Sequence, residues 1–168
     1  MMASVAGFAL LSADDARVTT PGGAVVTARA DEAAAREQRA RTREILHDLW
    51  DQFDLADKPD VEQQMAPGRL RACTLDTTSQ ISAWAETARL RVSEDANPEL
   101  EAGQAELVRA WLDDHGWERI DNPAPEGDPV TYHRDADGFK VTVAPQLDAR
   151  VSLDVESPCF DGQGQRVG

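Results

Sequence analysis

Two cysteines are the residues of this chain whose chemistry depends most on their surroundings. Cys73 follows an alternating run that begins at Arg69, and Cys159 stands in the segment Ser-Pro-Cys-Phe near the end of the chain. Their spacing excludes a Cys-x-x-Cys redox pair and a zinc knuckle. They are therefore either a disulfide in an oxidising compartment or two separate buried thiols in the cytosol.

The three histidines predict no metal site and no cofactor. His47 falls on a predicted helix, His115 stands before a helix-ending glycine, and His133 is predicted on the exposed face of a strand. No two of them have metal-ligand spacing. Residues 135–138, Asp-x-Asp-Gly, resemble the start of a calcium loop. The distal glutamate and the third ligand are absent, so a hairpin turn explains the segment better.

Glu86 is the most interesting acid, because strand parity places it on an otherwise apolar face. It either pairs with an arginine, lies at a sheet edge or marks a pocket. Trp84, on the same predicted face, and Trp117 complete the candidate pocket or interface. The chain contains no Gly-x-Ser-x-Gly, no P-loop and no dinucleotide-binding glycine motif. The sequence therefore predicts no catalytic residues and a protein that is not an enzyme.

The charge balance limits the classes of partner. The 168 residues carry 17 Lys and Arg against 31 Asp and Glu, a net charge of -14. This balance argues against nucleic acid, which needs a basic surface, and against an anionic membrane surface. No stretch reaches the roughly 18 apolar residues of a membrane span. The partner is then an unidentified protein or small ligand, and the oligomeric state is open.

The first residues resemble the end of an export signal. Residues 1–13 are apolar, and Leu-Ser-Ala at their end suits a cleavage site, but the Lys or Arg cluster that should start an export signal is missing. Leu-Ser-Ala also resembles a lipoprotein lipobox, with Asp14 where the lipidated cysteine would stand. Residues 14–30 are predicted to be a flexible tether. The segment is either a degraded or mis-started export signal or a cytosolic N-terminus.

Hydrophobic periodicity predicts two helices and six strands. An apolar stripe predicts the first helix over about 31–54, and Asn97-Pro98 and Gly116 bound the second. The second helix is predicted to bury the apolar residues Leu100, Leu107, Val108, Trp111 and Leu112. Alternating residues predict two strands before this helix and four after it.

The predicted order α-β-β-α-β-β-β-β belongs to the α+β class. An antiparallel sheet of about five to six strands, with both helices on one face, buries all the apolar stripes. Residues 31–160 are expected to form this single domain, and residues 161–168 a disordered tail.

Three segments of the second half carry a family resemblance. HGWERI, DADGFKVTV and VSLDVESPCF are similar to the C-terminal half of actinobacterial secreted proteins and lipoproteins of unknown function. The resemblance covers about residues 31–160. It implies a disulfide between Cys73 and Cys159 and an extracytoplasmic location, and it supplies no catalytic residues.

Two functions remain in competition at this point. The first is a non-catalytic extracytoplasmic domain, secreted or tethered at the cell envelope, which binds a protein or small ligand. The second is a cytosolic acidic protein of the immunity or antitoxin kind, which masks a basic partner and binds it in a salt-sensitive manner.

Overall fold

The computed structural model describes residues 28–73, 81–120, 129–146, 148–162 and 164–167, with side chains from residue 35 onward. Its elements are α1 (Ala28–Asp51), β1 (Arg69–Ala72), β2 (Ser82–Arg91), α2 (Pro98–Asp114), β3 (Glu118–Ile120), β4 (Thr131–Arg134), β5 (Lys140–Gln146) and β6 (Arg150–Glu156). The predicted α+β class and element order are confirmed. Residues 1–13, and most of the predicted tether, lie outside the described residues.

The six strands form one antiparallel sheet in the order β1-β2-β6-β5-β4-β3. The last strand, β6, lies between the β1–β2 hairpin and the β3–β4–β5 meander. Leu153 of β6 stands opposite Ala88 of β2 on one side and Val143 of β5 on the other. Because β6 joins the two halves, the sheet is complete only when the end of the chain has folded into it.

Both helices pack on the same face of this sheet and form one hydrophobic core with it. α1 lies over β2 and β6, while α2 lies over β5 and β6. The core draws its side chains from one face of each central strand, from both helices and from Phe53 just after α1: Ile45, Leu46, Leu49, Trp50, Phe53, Ala88, Leu90, Ala105, Val108, Leu112, Val141, Val143, Val151, Leu153 and Val155. The opposite face of the sheet, which we call the open face, carries no helix among the described residues.

The ends of the first helix differ from the expectation only in detail. α1 begins and ends three residues before the predicted limits, so residues 28–30 belong to the helix and not to the tether. Beyond its end, the ammonium of Lys58 donates to the carbonyls of Trp50, Asp51 and Phe53 at 3.0–3.2 Å. A cation at this end is favoured by the helix dipole.

The second helix is capped as predicted. The side chain of Asn97 accepts a hydrogen bond from the amide of Leu100, and Gly116 adopts a φ of 77° after the helix. The prediction that Leu107 is buried is wrong, because Leu107 is exposed and the polar Glu101 and Gln104 are buried. Gln104 exchanges two hydrogen bonds with the backbone of Asp54, which ties α2 to the end of α1.

Residues 160–162 and 164–167, which include most of the segment expected to be a tail, make backbone contacts. Phe160 is buried, and it pairs with Ser82 at the start of β2 and with Arg166. The carboxylate of Asp161 accepts the amide of Gln165, which closes a turn. The preceding Cys159 anchors this segment to the sheet. Within the described residues, no helix is long and apolar enough to cross a membrane.

Candidate functional site

Glu86 lies where strand parity placed it, on the face of β2 that the helices cover. Its side chain is 2% exposed, and it stands opposite Val155 of β6. The indole nitrogen of Trp84 donates a hydrogen bond of 2.9 Å to its carboxylate. The Arg39 guanidinium of α1 lies 3.7 Å from the same oxygen and 5.6 Å from the centre of the Trp84 ring. We call Glu86, Trp84 and Arg39 the Glu86 cluster.

Gly68 closes the Glu86 cluster from the side of β1. A Cβ atom at this position would lie 2.6 Å from a carboxylate oxygen of Glu86 and 2.6 Å from the Trp84 ring. Only a residue without a side chain fits there while both neighbours keep their positions. The carboxylate is thus enclosed by the ring, the guanidinium and the backbone, and the cluster joins α1 to the edge of the sheet.

Because Trp84 donates a hydrogen bond to Glu86, two substitutions of Glu86 should differ in their effect on the free energy of unfolding. Glu86→Gln keeps an acceptor for the indole and loses an ion pair whose arginine is half exposed, so we expect a cost below about 1 kcal/mol in the free energy of unfolding. Glu86→Ala removes the acceptor and leaves a void, for which we expect about 2 kcal/mol. Urea unfolding of the two variants measures both values. Equal costs would mean that the charge, and not the hydrogen bond, is what the cluster needs.

Trp117 does not join the Glu86 cluster. It follows α2 and precedes β3, the strand at the opposite end of the sheet from β1. Its half-buried ring packs against the hydrophobic core. Of the three candidate pocket or interface residues, the structure therefore brings two together, and it adds Arg39 and Gly68, which no sequence pattern had singled out.

The two cysteines lie at disulfide-bonding distance. Cys73 directly follows β1, Cys159 follows β6, and their Cα atoms are 6.1 Å apart. Close to them, Ser82 and Phe160 exchange backbone hydrogen bonds of 2.9 and 2.8 Å. The cross-link thus attaches the end of the outermost strand to the segment after the central strand.

A network of charged side chains crosses the open face of the sheet. Arg71 of β1 donates to Asp154 at 2.7 Å and to Glu156 at 3.1 Å, both on β6. Thr87 donates to Asp154 at 2.7 Å, and Lys140 of β5 lies 3.8 Å from Glu156. Because β2 lies between β1 and β6, Arg71 spans an entire strand to reach its partners. These ion pairs hold the edge strand to the centre of the sheet.

The prediction that His133 lies on an exposed strand face is wrong. It faces the helices, stands opposite Val141 and is 1% exposed. Its Nε2 lies 3.3 Å from the Thr131 hydroxyl, which accepts a hydrogen bond from Arg109 of α2. Among the described residues its Nδ1 has no hydrogen-bond partner, and it lies 3.9 Å from the exposed carboxylate of Asp113.

Burial lowers the pKa of His133 below its usual value of 6.5. The carboxylate of Asp113 raises this pKa by a smaller amount, and the guanidinium groups of Arg119 and Arg109 lower it further. A lowered pKa in the folded state favours the neutral ring there. The resulting stability is present above pH 6.5 and is lost as the pH falls through the pKa of the folded state.

We therefore expect the free energy of unfolding to fall between about pH 7 and pH 5, and to fall less in His133→Gln than in the unchanged protein. Urea unfolding of both proteins at both pH values measures how much the free energy of unfolding falls in each. The contributions of the other titrating groups are the same in the two proteins and cancel when the two falls are subtracted. An identical fall in the two proteins would contradict the assignment to His133.

No protein-family model, no curated protein and no solved structure matches this chain. Within the described residues, no group of three or more His, Cys, Asp or Glu side chains is placed to hold a metal ion.

Proposed function

We propose that this protein is a non-catalytic, extracytoplasmic binding domain, either secreted or tethered at the cell envelope. The observation that carries this proposal is the pairing of Cys73 with Cys159. Disulfides persist in oxidising compartments and are rare in the cytosol. The described residues hold no free cysteine.

The position of the cysteines supports the same location. A cross-link between the edge strand and the end of the chain stabilises a sheet that depends on its last strand. The resemblance to actinobacterial secreted proteins and lipoproteins, and the signal-like residues 1–13, favour the same compartment. The Glu86 cluster supports a non-catalytic role, because its carboxylate is enclosed by protein groups.

The mass of the protein purified from its native host, alkylated before and after reduction, tests the proposed location. We expect no thiol to react until reductant is added, and we expect residues 1–13 to be absent from the mature chain. If both thiols react at once and Met1 or Met2 is retained, the protein folds in the cytosol and the proposal is wrong.

The second candidate function is a cytosolic acidic protein that masks a basic partner. The observation in its favour is the surface of α2, where Glu99, Glu106, Asp113 and Asp114 are exposed and Arg109 is the single basic residue of the helix. Salt-sensitive capture of a basic protein by α2, lost on substitution of these acids, would favour this candidate.

A further inference from the structure

The edge strand β1 has an unusual combination of exposed groups. Within the described residues it pairs on one side only, with β2, so the backbone of Arg69–Ala72 along its outer side has no partner there. Such an edge is a template for a further strand. Leu70 in its middle is 54% exposed, the highest value among the large exposed hydrophobic residues of the described chain.

The two faces of β1 differ in chemistry. Leu70 stands opposite Trp84 and therefore lies on the helix-covered side, beside the Glu86 cluster. Arg69 and Arg71 lie on the open face, where Arg71 has acidic partners on β6. The neighbouring β2 adds two further arginines to the open face, Arg89 and Arg91, and no acid. This positive edge belongs to a chain with a net charge of -14.

We propose that β1 is a docking site for an extended protein segment in which acidic residues alternate with an apolar one. A strand added to the outer side of β1 would pair with its free backbone groups. Its side chains would alternate between the faces with the same period as those of β1. One apolar side chain would cover Leu70, and an acid next to it would face Arg69, because Arg71 is already bonded to Asp154 and Glu156.

The spacing favours a peptide of this pattern. Neighbouring residues of a strand point to opposite faces, so an acid next to the apolar residue reaches the open face, where Arg69 lies. The guanidinium of Arg69 can donate two parallel hydrogen bonds to a carboxylate.

A second copy of this chain does not fit the edge. Antiparallel pairing of two β1 strands with Leu70 opposite Leu70 would place Arg69 of each copy opposite Arg71 of the other on the open face, and like charges in direct opposition are destabilising. β1 therefore disfavours pairing with β1 of a second copy, whereas an acidic segment can still pair with it.

This inference rests on the proposed function as a binding domain and names the chemistry of its partner. The disulfide also supports it, because Cys73 directly follows β1 and fixes the end of the strand that would receive the segment. Reduction should therefore weaken docking as well as stability.

The test uses the full chain and a fluorescent nine-residue peptide in which glutamate alternates with valine. One control peptide has the same composition with its glutamates grouped at one end, and a second has N-methylated backbone amides. We expect saturable binding of the alternating peptide and at least tenfold weaker binding of both controls, as judged by fluorescence anisotropy. Hydrogen exchange of the β1 amides should slow in the complex.

Two matched variants make the test specific. Arg69→Glu should weaken binding of the alternating peptide by about tenfold or more, because the side chain at position 69 would then repel the peptide glutamate that it attracts as arginine. Arg36→Glu changes the charge equally at an exposed position of α1 and should leave binding unchanged. Circular dichroism of both variants confirms that they are folded.

Four outcomes would overturn the inference. The alternating peptide fails to bind, the grouped peptide binds as tightly, or Arg36→Glu weakens binding as much as Arg69→Glu. Displacement of the peptide by an equal concentration of duplex DNA would identify a general polyanion surface and would also overturn it. The alkylation experiment is independent of these results, so the compartment and the docking site can fail separately.

Discussion

Loss of the Cys73–Cys159 bond is expected to lower the free energy of unfolding by about 4 to 5 kcal/mol, the chain-entropy value for closing a loop of this length. For a chain of this size, that loss corresponds to a fall of about 10 to 20 °C in Tm. The effect is large because 86 positions separate the two cysteines and because the bond fixes the outermost strand. Thermal unfolding with and without reductant measures it.

The double variant Cys73→Ser/Cys159→Ser supplies the control. It should unfold near the Tm of the reduced protein, and reductant should not change that Tm. A reduced protein that loses less than about 1 kcal/mol would show that the unfolded chain gains little freedom when the bond is broken. The cross-link would then act chiefly by positioning β1.

Local patterns were sufficient to predict the elements. Asn97-Pro98 and Gly116 bound α2 as expected, because the capping groups and the left-handed glycine act over a few residues. Alternation of period two located β1 and β2 for a similar reason. It also placed Glu86 correctly, since parity within one continuous strand needs no tertiary information.

Parity failed where a strand begins after an irregular segment. Val130 and Tyr132 favoured burial of the opposite face of β4, but Thr131 and His133 are the residues that face the helices. Arg109 of α2 satisfies the Thr131 hydroxyl, and this contact between distant elements compensates for its burial. No local pattern contains that information.

The sequence also could not identify which side chains contact Glu86 in the candidate site. An arginine partner for Glu86 was one expected alternative, but many arginines were available, and packing of α1 on β2 selects Arg39. The position of β6 at the centre of the sheet depends on pairing over long sequence distances. That pairing also brings Phe160, which follows β6, next to Ser82.

Truncation of two leucines of the same sheet is expected to have very different effects. Leu153→Ala should lower the free energy of unfolding by about 2 to 5 kcal/mol, since the side chain is fully buried between both helices and the sheet. Leu70→Ala should change it by less than about 0.5 kcal/mol, because the side chain lies on an exposed edge. Urea unfolding of both variants measures the contrast.

The two leucine variants also test, without any peptide, whether Leu70 of β1 is exposed in solution. A leucine that contributes little to stability and still stands exposed beside Arg69 is available to a partner. If Leu70→Ala costs more than about 1.5 kcal/mol, Leu70 is covered by the chain's own residues in solution, because truncation of an exposed leucine cannot have such an effect. The outer side of β1 would then already be occupied, and a further strand could bind only by displacing what covers it.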